Sequence, residues 1–321
     1  MGVRLSGARR SFGHDDVAHP PLISIGGASR SGSTLVTLLL GGAPDTVAVG
    51  ELRYIWSRGL RQNMLCGCGV PFRTCEFWRA VLSRVYGSIE RVPAAELDAL
   101  QGSVAKVWHL PALMSPARPA AFDRRVSRLV EHLRALCEAV REESGAATLI
   151  DSSKLPPYCW LLASAAGPGS RLLHLVRDSR AVAFSQARTK RKPDIHWTEA
   201  YMQRFTPLRS ATDWNVLNAA MEALHAAGHE VTRARYESLT ANPRAWLDRY
   251  VPGVPFDASV NEGRVALGVS HTVSGNPLRF ERGDLTIRAD TEWRERMRPR
   301  DRRLVTAATL PLLAVYGYLG S

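Results

Sequence analysis

Short apolar runs alternate with longer stretches of helical periodicity along most of the chain. Three runs are short, rich in Leu, Ile and Val, and followed by Gly or a charged residue, as expected of buried strands: 22–25, 148–150 and 172–176. Helical periodicity covers four longer stretches: 122–143, 180–191, 197–227 and 300–318. Strands that alternate with helices favour a mainly parallel sheet. The pattern therefore predicts an α/β fold.

Length and composition set the domain organisation. With 321 residues, 45% of them hydrophobic, the chain is long enough for one large α/β core, and no repeat divides it. Residues 1–20 show little periodicity and lack the apolar centre of a signal peptide, so we predict a flexible leader there. Residues 21–321 are predicted to form a single domain, with helical insertions at about 53–118 and 197–227.

The turn after the first run has the composition of a phosphate-binding loop. Gly26 and Gly27 end the strand, residues 28–34 are mostly small and polar, and an apolar helix begins near Leu35. In such a turn, free backbone N–H groups and the positive end of the helix dipole face an anion. The spacing nearly matches the nucleotide triphosphatase loop, but Ser33 stands where that loop has its lysine. The loop therefore predicts an anion-transfer enzyme that is not an ATPase.

A second anion-binding motif follows the run at 172–176. Arg177 stands at the carboxyl end of this predicted strand, and Ser185 comes eight positions later on the predicted helix. Ligands of open parallel sheets bind outside the carboxyl ends of the strands, so Arg177 is placed to meet an anion. The alternative is a surface pairing of Arg177 with Asp178 or Glu199. Two anion motifs at two strand ends favour the ligand-binding interpretation.

These motifs resemble those of sulfotransferases that use 3′-phosphoadenosine 5′-phosphosulfate (PAPS), especially bacterial members similar to the tyrosylprotein sulfotransferases. The resemblance implies a P-loop-like three-layer α/β fold with a central parallel sheet, PAPS as donor cosubstrate, and no metal cofactor. It implies that Arg177 and Ser185 bind the 3′-phosphate. It also implies that the 5′-phosphosulfate is held by the residues of the loop: Arg30, Ser31, Gly32, Ser33 and Thr34.

Two residues at other strand ends are candidates for the chemical step. Glu51 ends a short predicted strand 21 residues after Arg30, and it resembles the family's catalytic base in motif and spacing. A hydroxyl acceptor loses its proton during transfer, so a carboxylate or His must lie within hydrogen-bond reach. Lys154 follows the run at 148–150, and the resemblance implies that it stabilises the leaving oxygen. The alternatives are a Glu51–Arg53 surface pair and an exposed Lys154 near a helix start.

Two later segments extend the resemblance. Tyr236 lies in Arg-Tyr-Glu-Ser-Leu followed by Asn-Pro, and the corresponding Tyr of the family contacts adenine. The turn that contains Asn276 occupies the position of the family's late loop, which closes over the nucleotide. Its sequence departs from the Arg-Lys-Gly of the cytosolic members. On the resemblance of these two segments, we predict that Tyr236 and Asn276 bind the cofactor.

The leading functional hypothesis is transfer of a sulfuryl group to a hydroxyl of a small molecule, glycan or lipid. One alternative is a P-loop kinase in which Asp151 holds Mg²⁺ as a Walker-B-like carboxylate. Ser33 in the lysine position weakens this alternative. The other alternative is a non-catalytic, nucleotide-binding regulatory protein, which leaves Glu51 and Lys154 without a task.

The charge of the chain suits an anionic ligand. The formal net charge is +12, and only four of the 42 Lys and Arg residues are Lys. Nucleic-acid motifs are missing and the cations are scattered, so we predict no nucleic-acid partner. The apolar stretch 303–320 contains Pro311 and polar residues, which favours a docked helix over a transmembrane span. We expect a cytoplasmic enzyme, and the sequence leaves a homodimer open.

Three of the five cysteines form a local cluster of Cys66, Cys68 and Cys75 that could bind a metal or form a disulfide. Their spacing is not a standard zinc spacing, and no fourth ligand is nearby in sequence. A cytosolic chain would keep them reduced. Cys137 and Cys159 lie in apolar surroundings and are predicted to fill the core.

Overall fold

The computed structural model describes residues 20–252, 254, 256, 260 and 262–320, so the predicted leader lies outside the described residues except for Pro20. The strands of the described part are β1 Leu22–Gly26, β2 Thr46–Gly50, β3 Thr148–Lys154, β4 Arg171–Val176, β5 Val231–Arg235, β6 Arg264–Leu267 and β7 Gly283–Thr286. The first five form a parallel sheet in the order β2-β3-β1-β4-β5, and β6 and β7 form an antiparallel pair.

Helices connect and cover these strands. Those of the described part are α1 Ser33–Leu40, α2 Glu76–Tyr86, α3 Ala94–Val104, α4 Leu110–Met114, α5 Ala120–Ser144, α6 Pro156–Ala166, α7 Ser179–Ala187, α8 Pro207–Ala226, α9 Tyr236–Ala241, α10 Pro243–Tyr250, α11 Glu292–Arg296 and α12 Pro299–Val315. A π-helical segment, Ile55–Arg61, follows β2. This segment and α2 to α4 form the first predicted helical insertion.

Alternate residues of the central strands enter two different cores. Leu22 and Leu149 pack in a cluster with residues of α5 and α6, whereas Ile23 and Ile150 pack with residues of α1, α9 and α10. Successive side chains of a strand point to opposite faces, so both faces of the sheet are buried by helices. The predicted three-layer α/β fold is confirmed.

The predicted helix boundaries are confirmed in part. The helix expected at 122–143 is α5, but the helix expected at 197–227 is wrong for residues 197–206, because α8 begins only at Pro207. The Thr206 hydroxyl caps α8 by accepting a hydrogen bond from the Arg209 N–H at 3.3 Å, and Pro207 suits the first helical turn. Residues 197–206 instead form an irregular segment, part of which borders the cleft described below.

Two other predicted helices are shorter than expected. The helix predicted at 180–191 ends at Ala187, and the one predicted at 300–318 ends at Val315. The latter, α12, is docked on the domain, since it packs against α7 and α8 and buries Val305 and Leu313 completely. Within the described residues, no helix combines the length and apolar character needed to cross a membrane.

Candidate active site

The carboxyl ends of the parallel strands border one cleft of about 790 Å³. Ser31 alone of the eleven predicted site residues does not line this cleft; it is buried, and its hydroxyl has no hydrogen-bond partner among the described residues. The structure brings the other ten together: Arg30, Gly32, Ser33, Thr34, Glu51, Lys154, Arg177, Ser185, Tyr236 and Asn276.

The loop between β1 and α1 has a backbone suited to an anion. Gly27, Arg30 and Gly32 adopt φ angles of 126°, 68° and 93°, in the left-handed region. The helix α1 begins at Ser33 without a side-chain cap, so its first N–H groups have no intrahelical partner. A Cβ at Gly32 would overlap the ring of Tyr236. Glycine at position 32 is therefore required by both the backbone and the neighbouring ring.

Arg30, Arg177 and Ser185 lie in contact on one side of the cleft. Arg30 Nε donates a hydrogen bond to Ser185 Oγ at 3.3 Å, and Arg177 Nη1 donates to the Arg30 carbonyl at 3.1 Å. Burial and the neighbouring Arg177 charge lower the pKa of Arg30. Asp178 caps α7 by accepting from the Arg180 N–H at 2.8 Å, and the turn at this cap brings Ser185 beside the arginines. Two adjacent guanidinium groups favour an anion at this point.

The partner of Arg177 is neither Asp178 nor Glu199. Arg177 Nη2 lies 2.8 Å from Asp290 Oδ2, and its guanidinium carbon lies 4.6 Å from the centroid of the Tyr236 ring. Asp178 binds Arg180 instead. The alternative surface pairings are therefore wrong, and Arg177 and Tyr236 form one wall of the cleft.

Glu51 and Lys154 form a buried ion pair in the cleft. Lys154 Nζ donates a hydrogen bond to Glu51 Oε1 at 2.5 Å and another to the Ser152 carbonyl at 3.2 Å. Burial alone would raise the pKa of Glu51, but the charges of Lys154, Arg53 and Arg58 outweigh it and lower that pKa. Burial lowers the pKa of Lys154, and Glu51 offsets part of this effect. Lys154 is thus buried rather than exposed, and Glu51 bonds to it rather than to Arg53.

The late segment at 272–276 lies beside both Glu51 and the phosphate-binding loop. The Val273 carbonyl accepts a hydrogen bond from the Glu51 N–H at 2.7 Å. The Asn276 N–H donates to Thr34 Oγ1 at 3.4 Å, while the Asn276 side chain accepts from the Leu278 N–H at 3.2 Å. The backbone of the predicted late loop, more than the Asn276 side chain, therefore faces the phosphate-binding loop.

Sequence reasoning missed several residues that line the cleft. Lys190 and Lys192 carried a signal, because lysine is rare in this chain and three of its four lysines line the cleft. In total nine Lys and Arg side chains but only three carboxylates line the cleft, so it is strongly cationic. The other missed residues include Arg53, Tyr54, Arg58, Tyr201, Met202 and Asp290.

Asp151 does not line the cleft. It is fully buried and accepts hydrogen bonds from Ser24 Oγ at 3.0 Å, the Leu52 N–H at 3.1 Å and Ser153 Oγ at 2.6 Å. Its carboxylate therefore links the middle of β1, the backbone just after β2 and β3 itself, and it is not presented to a cation in the cleft. This removes the main support for the kinase alternative.

A model of the sulfotransferase family matches residues 21–252. No curated protein gives a significant match. Among solved structures, the sulfotransferase domain from the Synechococcus PCC 7002 olefin synthase is similar, with 19% identity over 96% of this chain and 99% of that one and a TM-score of 0.45.

Proposed function

This chain belongs to the sulfotransferase family, and we propose that it moves a sulfuryl group from PAPS to a hydroxyl of a small molecule, glycan or lipid. One observation carries the proposal: the phosphate-binding loop, the Arg177–Ser185 motif and the Glu51–Lys154 pair line the same cleft. A sulfuryl transfer needs all three, because the donor has two anionic ends and the acceptor has a proton to lose.

The charge of the cleft suits this donor. In the proposed complex, the loop N–H groups and Arg30 bind the 5′-phosphosulfate, and Arg177 and Ser185 bind the 3′-phosphate. Tyr236 packs against the adenine, since an aromatic ring at the edge of a site offers both contact area and a hydroxyl. The excess of cations over carboxylates in the cleft compensates the charge of both anionic groups.

The chemical step divides between Glu51 and Lys154. The acceptor oxygen bonds to sulfur while the bond from sulfur to the bridging phosphate oxygen breaks, and the Glu51 carboxylate takes the hydroxyl proton. Lys154 stabilises the negative charge on the departing oxygen of adenosine 3′,5′-bisphosphate. In such a loose transfer, positioning and electrostatics supply most of the rate enhancement.

Ligand choice tests the donor assignment. Adenosine 3′,5′-bisphosphate should raise the melting temperature of the protein, because a ligand at 100 times its Kd stabilises the folded state by about 2.7 kcal/mol. Adenosine 5′-monophosphate is the matched control, since it lacks only the 3′-phosphate and should bind more weakly. Tighter calorimetric binding of ATP with Mg²⁺ would contradict the proposal.

Activity tests the reaction itself. The protein should transfer labelled sulfate from PAPS to a component of a cell extract, and mass detection of the sulfated product identifies the acceptor. The Glu51→Gln variant in the same extract separates catalysed transfer from background. Bisphosphate binding without any transfer, across extracts and panels of hydroxyl compounds, would favour the regulatory alternative.

A further inference from the structure

Four potential metal ligands meet outside the cleft. Cys66, Cys68 and Cys75 lie on the turn that leads into α2, and the fold brings His271 from the late segment against them. Their donor atoms all lie within 4.8 Å of one another, and none of the four residues lines the cleft. The fourth ligand that the cysteine spacing lacks in sequence is therefore supplied by the tertiary structure.

The separations of these donor atoms are close to the edges of a tetrahedron around zinc. Cys68 Sγ lies 3.7 Å from Cys75 Sγ, and His271 Nδ1 lies 3.2 Å from Cys75 Sγ and 4.0 Å from Cys66 Sγ. Tetrahedral zinc, with Zn–S of about 2.3 Å and Zn–N of about 2.0 Å, requires ligand separations of about 3.5 to 3.8 Å. Only small movements of the side chains are needed to accommodate the ion.

We infer that Cys66, Cys68, Cys75 and His271 bind one structural Zn²⁺ ion. Three thiolates and one imidazole form a complete tetrahedral set, which leaves no open position for a substrate or a reactive water. Soft sulfur ligands select zinc over Mg²⁺ or Ca²⁺. The site is therefore separate from the proposed sulfuryl transfer, which requires no metal.

Neighbouring groups hold His271 in the orientation that the site needs. Its ring stacks on Phe77 with centroids 4.8 Å apart and planes at 15°, and its carbonyl accepts a hydrogen bond from Trp78 Nε1 at 2.7 Å. The stacking restricts the orientation of the ring, and the Trp78 hydrogen bond holds the backbone of His271 beside the start of α2. The ring therefore presents Nδ1 to the three sulfur atoms.

Backbone hydrogen bonds and a glycine fix the shape of the turn that carries the three cysteines. The Cys66 N–H donates a hydrogen bond to the Val70 carbonyl at 2.8 Å, and the Gly69 N–H donates to the Cys66 carbonyl at 2.9 Å. Gly69 has a φ of 96°, which lets the turn close tightly between Cys66 and Cys75. Cys66 and Cys75 are buried, whereas Cys68 is partly accessible, so the ion would be shielded on one side.

The ion would join two segments that are far apart in sequence. Cys75 and His271 are 196 residues apart, and Val273, two residues after His271, accepts the hydrogen bond from the Glu51 N–H. The Gly67 N–H also donates to the Thr272 carbonyl at 3.0 Å. Zinc would therefore fix the late segment to the cysteine turn immediately beside the proposed base.

Elemental analysis and cobalt substitution test the site directly. Full-length protein purified without chelators should contain about one zinc per chain, bound by the four residues. Protein stripped of metal and given Co²⁺ should show thiolate-to-cobalt charge-transfer absorption and the visible bands of tetrahedral cobalt. Cys68→Ser should lose the zinc and these bands, whereas Cys137→Ala, which removes a buried thiol outside the cluster, should keep both.

Several outcomes would overturn the inference. They are wild-type protein that contains no zinc and gives no thiolate–cobalt bands, iron in place of zinc, a disulfide within the cluster, and equal loss of metal in Cys137→Ala. The zinc content and the cobalt spectrum of the wild type test the site even if a variant fails to fold. They involve neither PAPS nor an acceptor, so failure of the zinc site and failure of the proposed sulfuryl transfer are distinguishable.

Discussion

Lys154 donates its hydrogen bond to Glu51 across 103 positions of sequence, and both side chains are only 9% exposed. Removing one partner of such a buried pair leaves an uncompensated charge, which is strongly destabilising. Substitutions that keep the shape of the side chain are therefore the informative ones at either position. Glu51→Gln keeps a hydrogen-bond acceptor for Lys154, and Lys154→Met keeps much of the length of the stem.

Glu51→Gln should separate chemistry from donor binding. It removes the proton acceptor but leaves Arg30 and Arg177 in place, so turnover should fall by about 10²- to 10⁴-fold, the usual contribution of a positioned base. The affinity for adenosine 3′,5′-bisphosphate, measured by calorimetry, should change by a few-fold at most. Near-normal turnover would show that the carboxylate is structural, and joint loss of binding would show that it orders the phosphate-binding loop.

The pH profile of Lys154→Met should differ from that of the wild type on the acid side. Lys154 helps to lower the pKa of Glu51, and burial opposes it, so loss of the ammonium should raise this pKa. The acid limb of kcat/KM should therefore lie below the ordinary pKa of a glutamate in the wild type and move to higher pH in the variant. An acid limb at the same pH in both proteins would mean that Glu51 does not control it.

The same ion pair predicts how stability depends on pH. The folded-state pKa of Glu51 is lowered, so its ionised form stabilises the folded wild type at neutral pH. This contribution should disappear as the pH falls through that folded-state pKa. Denaturant titrations should show a smaller loss of unfolding free energy on acidification in Glu51→Gln than in the wild type; an identical loss would argue against the pair.

Arg177→Ala should weaken binding of adenosine 3′,5′-bisphosphate. Loss of one side of a charge-assisted contact costs about 2 to 4 kcal/mol, which corresponds to an increase in Kd of about 30- to 1,000-fold by calorimetry. Arg244→Ala is the matched control, because Arg244 pairs with Asp248 on the surface and does not line the cleft. Unchanged affinity in Arg177→Ala would place the 3′-phosphate elsewhere.

Gly32→Ala should abolish donor binding, because a Cβ at this position would overlap the Tyr236 ring and the φ of 93° disfavours alanine. Gly102→Ala provides a control of opposite sign. Gly102 lies within α3 with no atom near its missing Cβ, so alanine there should stabilise the protein by up to about 1 kcal/mol. Thermal unfolding and bisphosphate titration check both variants, and normal bisphosphate binding by Gly32→Ala would contradict the proposed role of the loop.

The sequence was most informative where a function depends on contiguous residues. The strand–turn–helix geometry at β1–α1 and at β4–α7 could be predicted because a strand, a turn and a helix start follow each other within a few positions, while the ligands assigned to these two segments stay predictions. Thr206-Pro207 is a local sequence signal for the start of α8, because Thr is a common N-cap and Pro suits the first helical turn. Helical periodicity alone placed the start ten residues too early. These features needed no knowledge of which segments meet in the fold.

Contacts between distant segments were beyond the sequence alone. Asp290 pairs with Arg177 across 113 positions, and His271 joins the cysteine cluster across 196 positions. Neither residue lies in a recognisable local pattern. Each meets its partner only because the late segment packs against the rest of the fold. The antiparallel pair β6–β7 was not predicted for a different reason, because strands of only four residues show little periodicity.

The position of the late segment has a consequence during synthesis. A ribosome synthesises the phosphate-binding loop and all five central strands before it reaches Val273, Asn276 and Asp290. A nascent chain that has folded its sheet still lacks the backbone partner of Glu51 and the side-chain partner of Arg177. We therefore expect a nascent chain to bind adenosine 3′,5′-bisphosphate only after this late segment has been synthesised, later than the strands of the sheet.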